Sequence, residues 1–223
     1  SGDVKYKDIS GPDGVPDGVI DDYDKTNIGS PMPKFTFGWT NTFRYKNFDL
    51  SVFINGSYGN KVYNYLSMKL THMNSPWTNQ LNAVNGRAQL VPINPNKVYE
   101  DGTMWYNDVS NVMVANPGAS IPRATINDPN DNDRISDRYI EDGSYIRLKN
   151  ISLGYTFPKK TIDKLGLSNL RIYANIQNLL TITGYDGYDP EIGASTSSVN
   201  VYGLDNGRYP SPTVYSFGLN VSF

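Results

Sequence analysis

Carboxylates spaced around glycines are the first chemistry this sequence offers. Asp13, Asp17, Asp21 and Asp24 take positions 1, 5, 9 and 12 of a twelve-residue loop, with Gly18 at position 6. Val19 offers its carbonyl at position 7 and Ile20 fills the apolar position 8. Hard oxygens brought together around a turn that glycine permits are calcium chemistry. The spacing departs from the calcium loop at Val15, which has no side-chain oxygen, and at Asp24, which stands for the usual Glu. Asp8 and Ser10 can substitute if Gly11–Pro16 bulges out. The candidate ligands are Asp8, Asp13, Asp17, Val19, Asp21 and Asp24, with Ca2+ as the expected ion; a solvated acidic turn is the other reading of the same residues.

Other reaction chemistry is thin. The chain has 223 residues, one histidine (His72) and no cysteine, which excludes thiol catalysis, cysteine zinc sites and disulfide scaffolds. His72 reads as an ordinary loop residue. Asp21 with Asp22, or a pair from Asp186, Asp189 and Glu191, has the residue types of a glycosidase pair. The same residues make turns, and that is the reading adopted. We expect no enzyme and no organic cofactor. A formal net charge of -2 argues against a nucleic-acid partner, which needs a basic patch. Trp77, Trp105 and Tyr106 lie in a long aperiodic stretch, where aromatic faces can stack on sugar rings. They are the candidate substrate contacts; packing the stretch on itself or against a lid is their competing use.

Strands must position these loops. In Thr213–Phe223 the odd positions, Thr213, Tyr215, Phe217, Leu219, Val221 and Phe223, share one face, and the even positions are small and mostly polar. Such a strand, rising roughly 3.3 Å per residue and tilted by about 45°, spans an apolar band of about 25 Å. In residues 34–59, Phe35, Phe37, Trp39, Phe43 and Tyr45 precede a Lys46-Asn47 turn. Phe48, Leu50, Val52, Ile54 and Tyr58 follow it. A two-residue turn sets Tyr45 against Phe48 and Trp39 against Ile54, so the apolar faces coincide. Residues 144–182 hold two more strands around a short link at 158–168. The first half of Tyr145–Phe157 breaks the alternation: either it leaves the apolar band or a bulge flips its faces. Arg171, Tyr173 and Asn175 fall on the polar face.

The connections sort by length. Lys46-Asn47 and 158–168 are short; 60–143 and 183–210 are long, and with the acidic loop at 1–33 they fall on one side. Membrane barrels have short periplasmic turns and long extracellular loops. The expected fold is all-β: a transmembrane antiparallel β-barrel with long extracellular loops, in the bacterial outer membrane. Phe35, Tyr58 and Tyr145 would form the outer aromatic girdle, and Tyr45, Phe48, Tyr155 and Phe157 the inner one. Five strands cannot close a barrel, whose smallest bacterial forms have about eight. The chain, which begins Ser-Gly-Asp, is therefore expected to be part of a longer polypeptide. A secreted carbohydrate-binding β-sandwich and a calcium-dependent adhesin are the rival readings.

Longer motifs carry a resemblance. Asp8-Ile-Ser-Gly, Asp17-Gly-Val-Ile-Asp-Asp-Tyr-Asp-Lys-Thr-Asn-Ile-Gly, Pro31-Met-Pro-Lys-Phe-Thr-Phe-Gly and Lys46-Asn-Phe-Asp-Leu-Ser-Val-Phe come in order. Ser136-Asp-Arg-Tyr-Ile-Glu-Asp-Gly-Ser-Tyr-Ile-Arg-Leu-Lys-Asn-Ile-Ser-Leu-Gly-Tyr-Thr-Phe-Pro and Gln177-Asn-Leu-Leu-Thr-Ile-Thr-Gly-Tyr-Asp-Gly-Tyr-Asp-Pro-Glu follow. Together they resemble the C-terminal region of SusC/RagA-type TonB-dependent transporters. The resemblance implies the final strands of a plugged barrel of about 22 strands. It implies import of oligosaccharides, or less often peptides, under a SusD-like surface lipoprotein. TonB would supply energy through the upstream part of the chain. Phe223 resembles the signal read by the barrel-assembly machinery. The family's acidic loop is normally shorter than this one.

Overall fold

The computed structural model describes residues 2–192, 194–195 and 198–223, with side chains for all of these except 194–195 and 198–200. Its contacts divide into two units, Gly29–Asn64 with Ile140–Phe223, and Ser1–Ile28 with Tyr65–Tyr139.

The first of these units carries one antiparallel sheet of five strands. They are β1 (Phe35–Tyr45), β2 (Phe48–Tyr58), β3 (Tyr145–Thr156), β4 (Asn169–Thr183) and β5 (Val214–Ser222), and each pairs with the next in chain order. Lys46 takes φ 52, the left-handed conformation that a two-residue hairpin turn uses. The register is the one the alternation requires, with Tyr45 opposite Phe48, Phe43 opposite Leu50 and Trp39 opposite Ile54. β5 likewise sets Phe217 opposite Ala174 and Leu219 opposite Ile172.

The irregular start of β3 is a bulge. Phe53 pairs with Asn150 but Ile54 with Leu148, so Lys149 has no partner on β2. On the other side Leu148 pairs with Leu180 and Asn150 with Gln177. One extra residue exchanges the faces of every side chain beyond it. Ile146 and Leu148 thereby join the apolar face, and Arg147 turns to the other.

That apolar face is open. Trp39, Phe43 and Tyr45 are exposed, Leu219 is exposed, and Phe217 is 84% exposed. Each large apolar side chain left in water forgoes roughly 1.5–3 kcal/mol of burial. A row of them across a sheet needs apolar surroundings. The opposite face alternates glycine with long polar side chains. A Cβ at Gly154 would meet the Arg171 guanidinium, and one at Gly218 the Tyr173 ring.

Residues 60–143, expected as one long loop, are built rather than open. They contain a strand Lys61–Asn64, a helix Tyr65–Thr71, a ladder of Leu90–Pro92 with Val112–Val114, and a strand Ile140–Asp142. The short strand Lys61–Asn64 pairs with Ile140–Asp142 and with Leu204–Asp205, within the unit that holds the sheet. Residues 65–139 instead pack with the N-terminal segment around Met68, Ala88, Val112, Ile121 and Tyr139. This second core had no strand-like or helical period to announce it, because its elements are only three to seven residues long. Among the described residues no helix is long and apolar enough to cross a membrane.

Candidate functional site

On the polar face of the sheet, the bulge at Lys149 delivers Arg147 into a carboxylate pocket. Its guanidinium, 3% exposed, donates to Asp189 Oδ1 at 2.5 Å, Glu191 Oε2 at 2.6 Å and Thr181 Oγ1 at 2.8 Å. Asp189 also accepts the backbone N–H groups of Glu191 and Ser211, each at 2.9 Å. Burial alone would raise the Asp189 carboxyl, but these N–H groups and the guanidinium hold it below the usual carboxylate range. Asp189 and Glu191 therefore spend their oxygens on tying the 183–210 connection to β3. Further along the same face Arg171 donates to Asp49 at 2.6 and 3.2 Å. Asp21 accepts Tyr23 N–H at 2.8 Å as the cap of a short 3-10 turn, and Asp22 pairs with Lys25 at 2.7 Å.

The second unit holds an open groove of about 870 Å3. Trp105 and Tyr106 line it together with Arg87, Arg123, Gln89 and Asn107. The two rings meet edge to face, with centroids 5.7 Å apart and planes at 79°. They stand on a 3-10 turn, Trp105–Asn107, whose following residue is an anchor. Asp108 accepts Lys97 Nζ at 2.5 Å, Tyr99 hydroxyl at 3.0 Å, and the Ser110 N–H and hydroxyl at 3.0 and 2.6 Å. The Lys97 ammonium foremost, then the Ser110 hydroxyl, hold the Asp108 carboxyl well below the usual carboxylate range. Trp77, placed in the same group by sequence, does not line the groove and is 92% exposed. The structure thus brings Trp105 and Tyr106 together and leaves Trp77 apart.

The acidic loop is organised by its own backbone. Asp24 Oδ1 accepts the N–H groups of Ile9 and Ser10 at 2.7 and 3.2 Å, and its Oδ2 accepts that of Asp21 at 2.9 Å. Those backbone donors hold the Asp24 carboxyl below its usual range. Asp8 Oδ2 accepts Gly18 N–H at 2.6 Å, and Asp17 Oδ1 accepts Val19 N–H at 2.9 Å. Asp8 Oδ1 is buried without a hydrogen-bond partner. The loop offers that one orphaned oxygen. Among the described residues its carboxylates do not meet as a trio: the one group of three His, Asp or Glu ligand atoms lying within 4.8 Å of one another is elsewhere, at His72, Asp128 and Asp133.

His72 is not an ordinary loop residue. It is 6% exposed, with Nε2 at 2.8 Å from Asp128 Oδ2 and Nδ1 at 3.4 Å from Asp133 Oδ2. Both ring nitrogens thus face carboxylates, which leaves no lone pair directed at an open position. Asp128 is held in turn by Asn132, through its N–H at 2.7 Å and its amide at 2.6 Å. Asn132 also accepts Val4 N–H at 2.8 Å, so this polar cluster fastens the N-terminal segment.

Comparison with known proteins places the fold. A TonB-dependent receptor, P3, of Formosa agariphila is 36% identical over 211 residues, which is 92% of this chain and 18% of the receptor. A second receptor of that organism, P26, is 33% identical across 100% of this chain and 20% of its own length. The chain belongs with the SusC/RagA-type TonB-dependent receptors. SusC of Bacteroides thetaiotaomicron is 29% identical over 92% of this chain and 17% of SusC. The chain thus spans about a fifth of the length of these receptors. No protein-family model matches it. Solved structures of the RagAB peptide importer share the fold, with a TM-score of 0.60 and 19% identity over 96% of this chain and 20% of theirs in the closed-closed state.

Within this receptor family the catalytic candidates lapse, since the relatives are receptors and not enzymes. Sequence reasoning missed Arg87 and Arg123 as neighbours of the Trp105–Tyr106 pair. Arg87 and Ile121 form an isolated parallel bridge, a contact with no sequence signature. The signal that could have found His72 was its company, because a lone histidine shares its chain with the Asp-rich turn at 127–134.

Proposed function

We propose that this chain is part of an outer-membrane TonB-dependent transporter that imports oligosaccharides. In this reading the five strands are the last of a barrel of about 22, closed by strands upstream in the same polypeptide. The connections 60–143 and 183–210 and the acidic segment 1–33 lie outside the cell, a SusD-like lipoprotein covers them, and TonB acts through the upstream part. Phe223, 93% exposed beyond β5, serves as the assembly signal. The observation that carries the reading is the open apolar face of the sheet, which lipid would cover. A soluble sandwich would bury that face under a second sheet. Trp105 and Tyr106 are the favoured sugar contacts, with Trp77 left to the lid interface.

Peptide import is the second reading, favoured by the shared fold with the RagAB peptide importer. Calcium enters the proposal in one form. The acidic loop takes the ion only by exchanging N–H bonds for metal, starting from the orphaned Asp8 oxygen and drawing on Asp13, Asp17, Asp21, Asp24 and the Val19 carbonyl. Calcium titration of the intact receptor, with and without Asp8→Asn, tests that exchange.

The transporter reading is tested by extracting the intact protein from its native membrane. It should require detergent, carry a plug-bearing upstream region and co-purify with a surface lipoprotein. Cells lacking it should lose growth on particular oligosaccharides while keeping growth on peptides. Release without detergent would sink the barrel; loss of growth on peptides alone would transfer the reading to peptide import.

A further inference from the structure

We propose that the groove beside Trp105 and Tyr106 selects acidic oligosaccharides, those bearing carboxylate or sulfate groups, over neutral ones. This rests on the oligosaccharide reading above and names its substrate class. The chain as a whole is slightly acidic, at -2, yet no carboxylate lines this groove and two arginines do. Arg123 is already paired, its Nε donating to Asp3 at 2.9 Å. Arg87 has no acidic partner among the described residues. Among those residues its guanidinium makes one hydrogen bond, a long one of 3.5 Å, to the Val84 carbonyl. A half-buried guanidinium without a counter-ion is a standing site for an anion. Its planar fork matches carboxylate and sulfate oxygens two at a time.

The neighbours decide which anion. The Trp105–Tyr106 pair presents an edge-to-face corner, with Tyr106 about half exposed. A flat apolar ring surface next to a cation fits a pyranose ring that carries its charge at the rim. Gln89 and Asn107, also on the lining, add planar amides of the kind that bond hydroxyl groups. An acidic peptide without aromatic or proline residues would satisfy Arg87 but would bring no ring face to Trp105. Free inorganic anions would use Arg87 and ignore the aromatic pair.

The experiment uses the intact receptor with its lipoprotein in detergent and measures binding of four probes calorimetrically. These are an oligogalacturonate, a sulfated oligosaccharide, a neutral oligosaccharide of equal length and an acidic peptide. The two acidic glycans should bind about tenfold or more tightly than the neutral one, with affinity falling as salt is raised. Arg87→Gln should remove that preference while leaving the melting temperature unchanged, since the side chain makes only the long bond to Val84. Arg87→Lys should keep part of it, and Trp105→Ala should weaken all three glycans together. Equal binding of neutral and acidic glycans, or a preference that survives Arg87→Gln, overturns this inference and leaves the oligosaccharide reading standing. Binding of the acidic peptide alone overturns both. Binding of none of the four overturns the groove as a site.

Discussion

Arg147 and Asp189 meet at 2.5 Å although they stand 42 residues apart, with the guanidinium 3% and the carboxylate 8% exposed. The contact exists because the bulge at Lys149 turned Arg147 off the apolar face. It converts a local irregularity of one strand into the anchor of a long connection.

Replacing Arg147 by Ala or Met should leave Asp189 as a buried, uncompensated charge. Breaking such a pair from one side costs about 3–5 kcal/mol. The other partner, Glu191, is 37% exposed and adds little. The expected outcome is a lower melting temperature for the intact receptor and faster proteolysis within residues 183–210. The double variant Arg147→Met, Asp189→Asn should recover much of the loss. Unchanged proteolysis in the single variant would mean that the connection is held elsewhere.

His72→Ala should strip a partner from Asp128, which lies buried beside Asn132. An orphaned buried acceptor of this kind costs about 1–3 kcal/mol. The loss should be local. Amide exchange should speed up at Val4, whose N–H reaches Asn132, and across residues 127–134, while the sheet stays protected. Exchange that speeds up equally everywhere would place His72 in a global role instead.

Gly154→Val adds a side chain where Arg171 and Asp49 meet.

 Asp49 lies opposite Gly154 in the register, and a Cβ there would meet both its carboxylate and the Arg171 guanidinium. The substitution should push the guanidinium off the carboxylate. Overpacking costs about 1–3 kcal/mol. The readout is the temperature at which the detergent-solubilised receptor loses its folded mobility in electrophoresis. Gly184→Val, just after β4, meets nothing within 4 Å and, like Gly154, has no positive φ, so it serves as the control for glycine loss. Equal shifts in the two variants would assign the effect to loss of the glycine and not to the ion pair.

Tyr185 gives a pH signature. Its hydroxyl is buried and donates to Asp205 Oδ2 at 2.5 Å. Burial first, then the Asp205 carboxylate, raise its pKa well above the ordinary value of 10.0. A folded pKa above the unfolded one contributes stability that is whole below pH 10 and is lost as pH climbs from there toward the folded value. The intact receptor should therefore lose stability above pH 10 more steeply than Tyr185→Phe, which has no proton to release. Thermal melts of both proteins across that range check it. Parallel curves would remove Tyr185 from the alkaline transition.

The sequence by itself determined the sheet. Alternation in β1, β2 and β5 admits one register, because slipping by a single residue would turn Trp39, Ile54 and Phe217 to the polar face. It also announced an irregularity at the start of β3, where Arg147 and Lys149 break the parity, without choosing its form. Only the tertiary structure chose the bulge, since pairing to both β2 and β4 decides which residue is skipped. The same holds for the second unit. Asp3, His72, Arg123 and Asn132 are far apart in the chain, and no periodic pattern joins them. Their cluster depends on contacts spanning up to 129 residues. Short-range rules see the spacing of neighbours along a strand. They cannot see which buried charge will find its partner, or that Arg87 will line a groove with Trp105 and Tyr106 and have no acidic partner among the described residues, because those outcomes are set by the packing of segments that share no local signal.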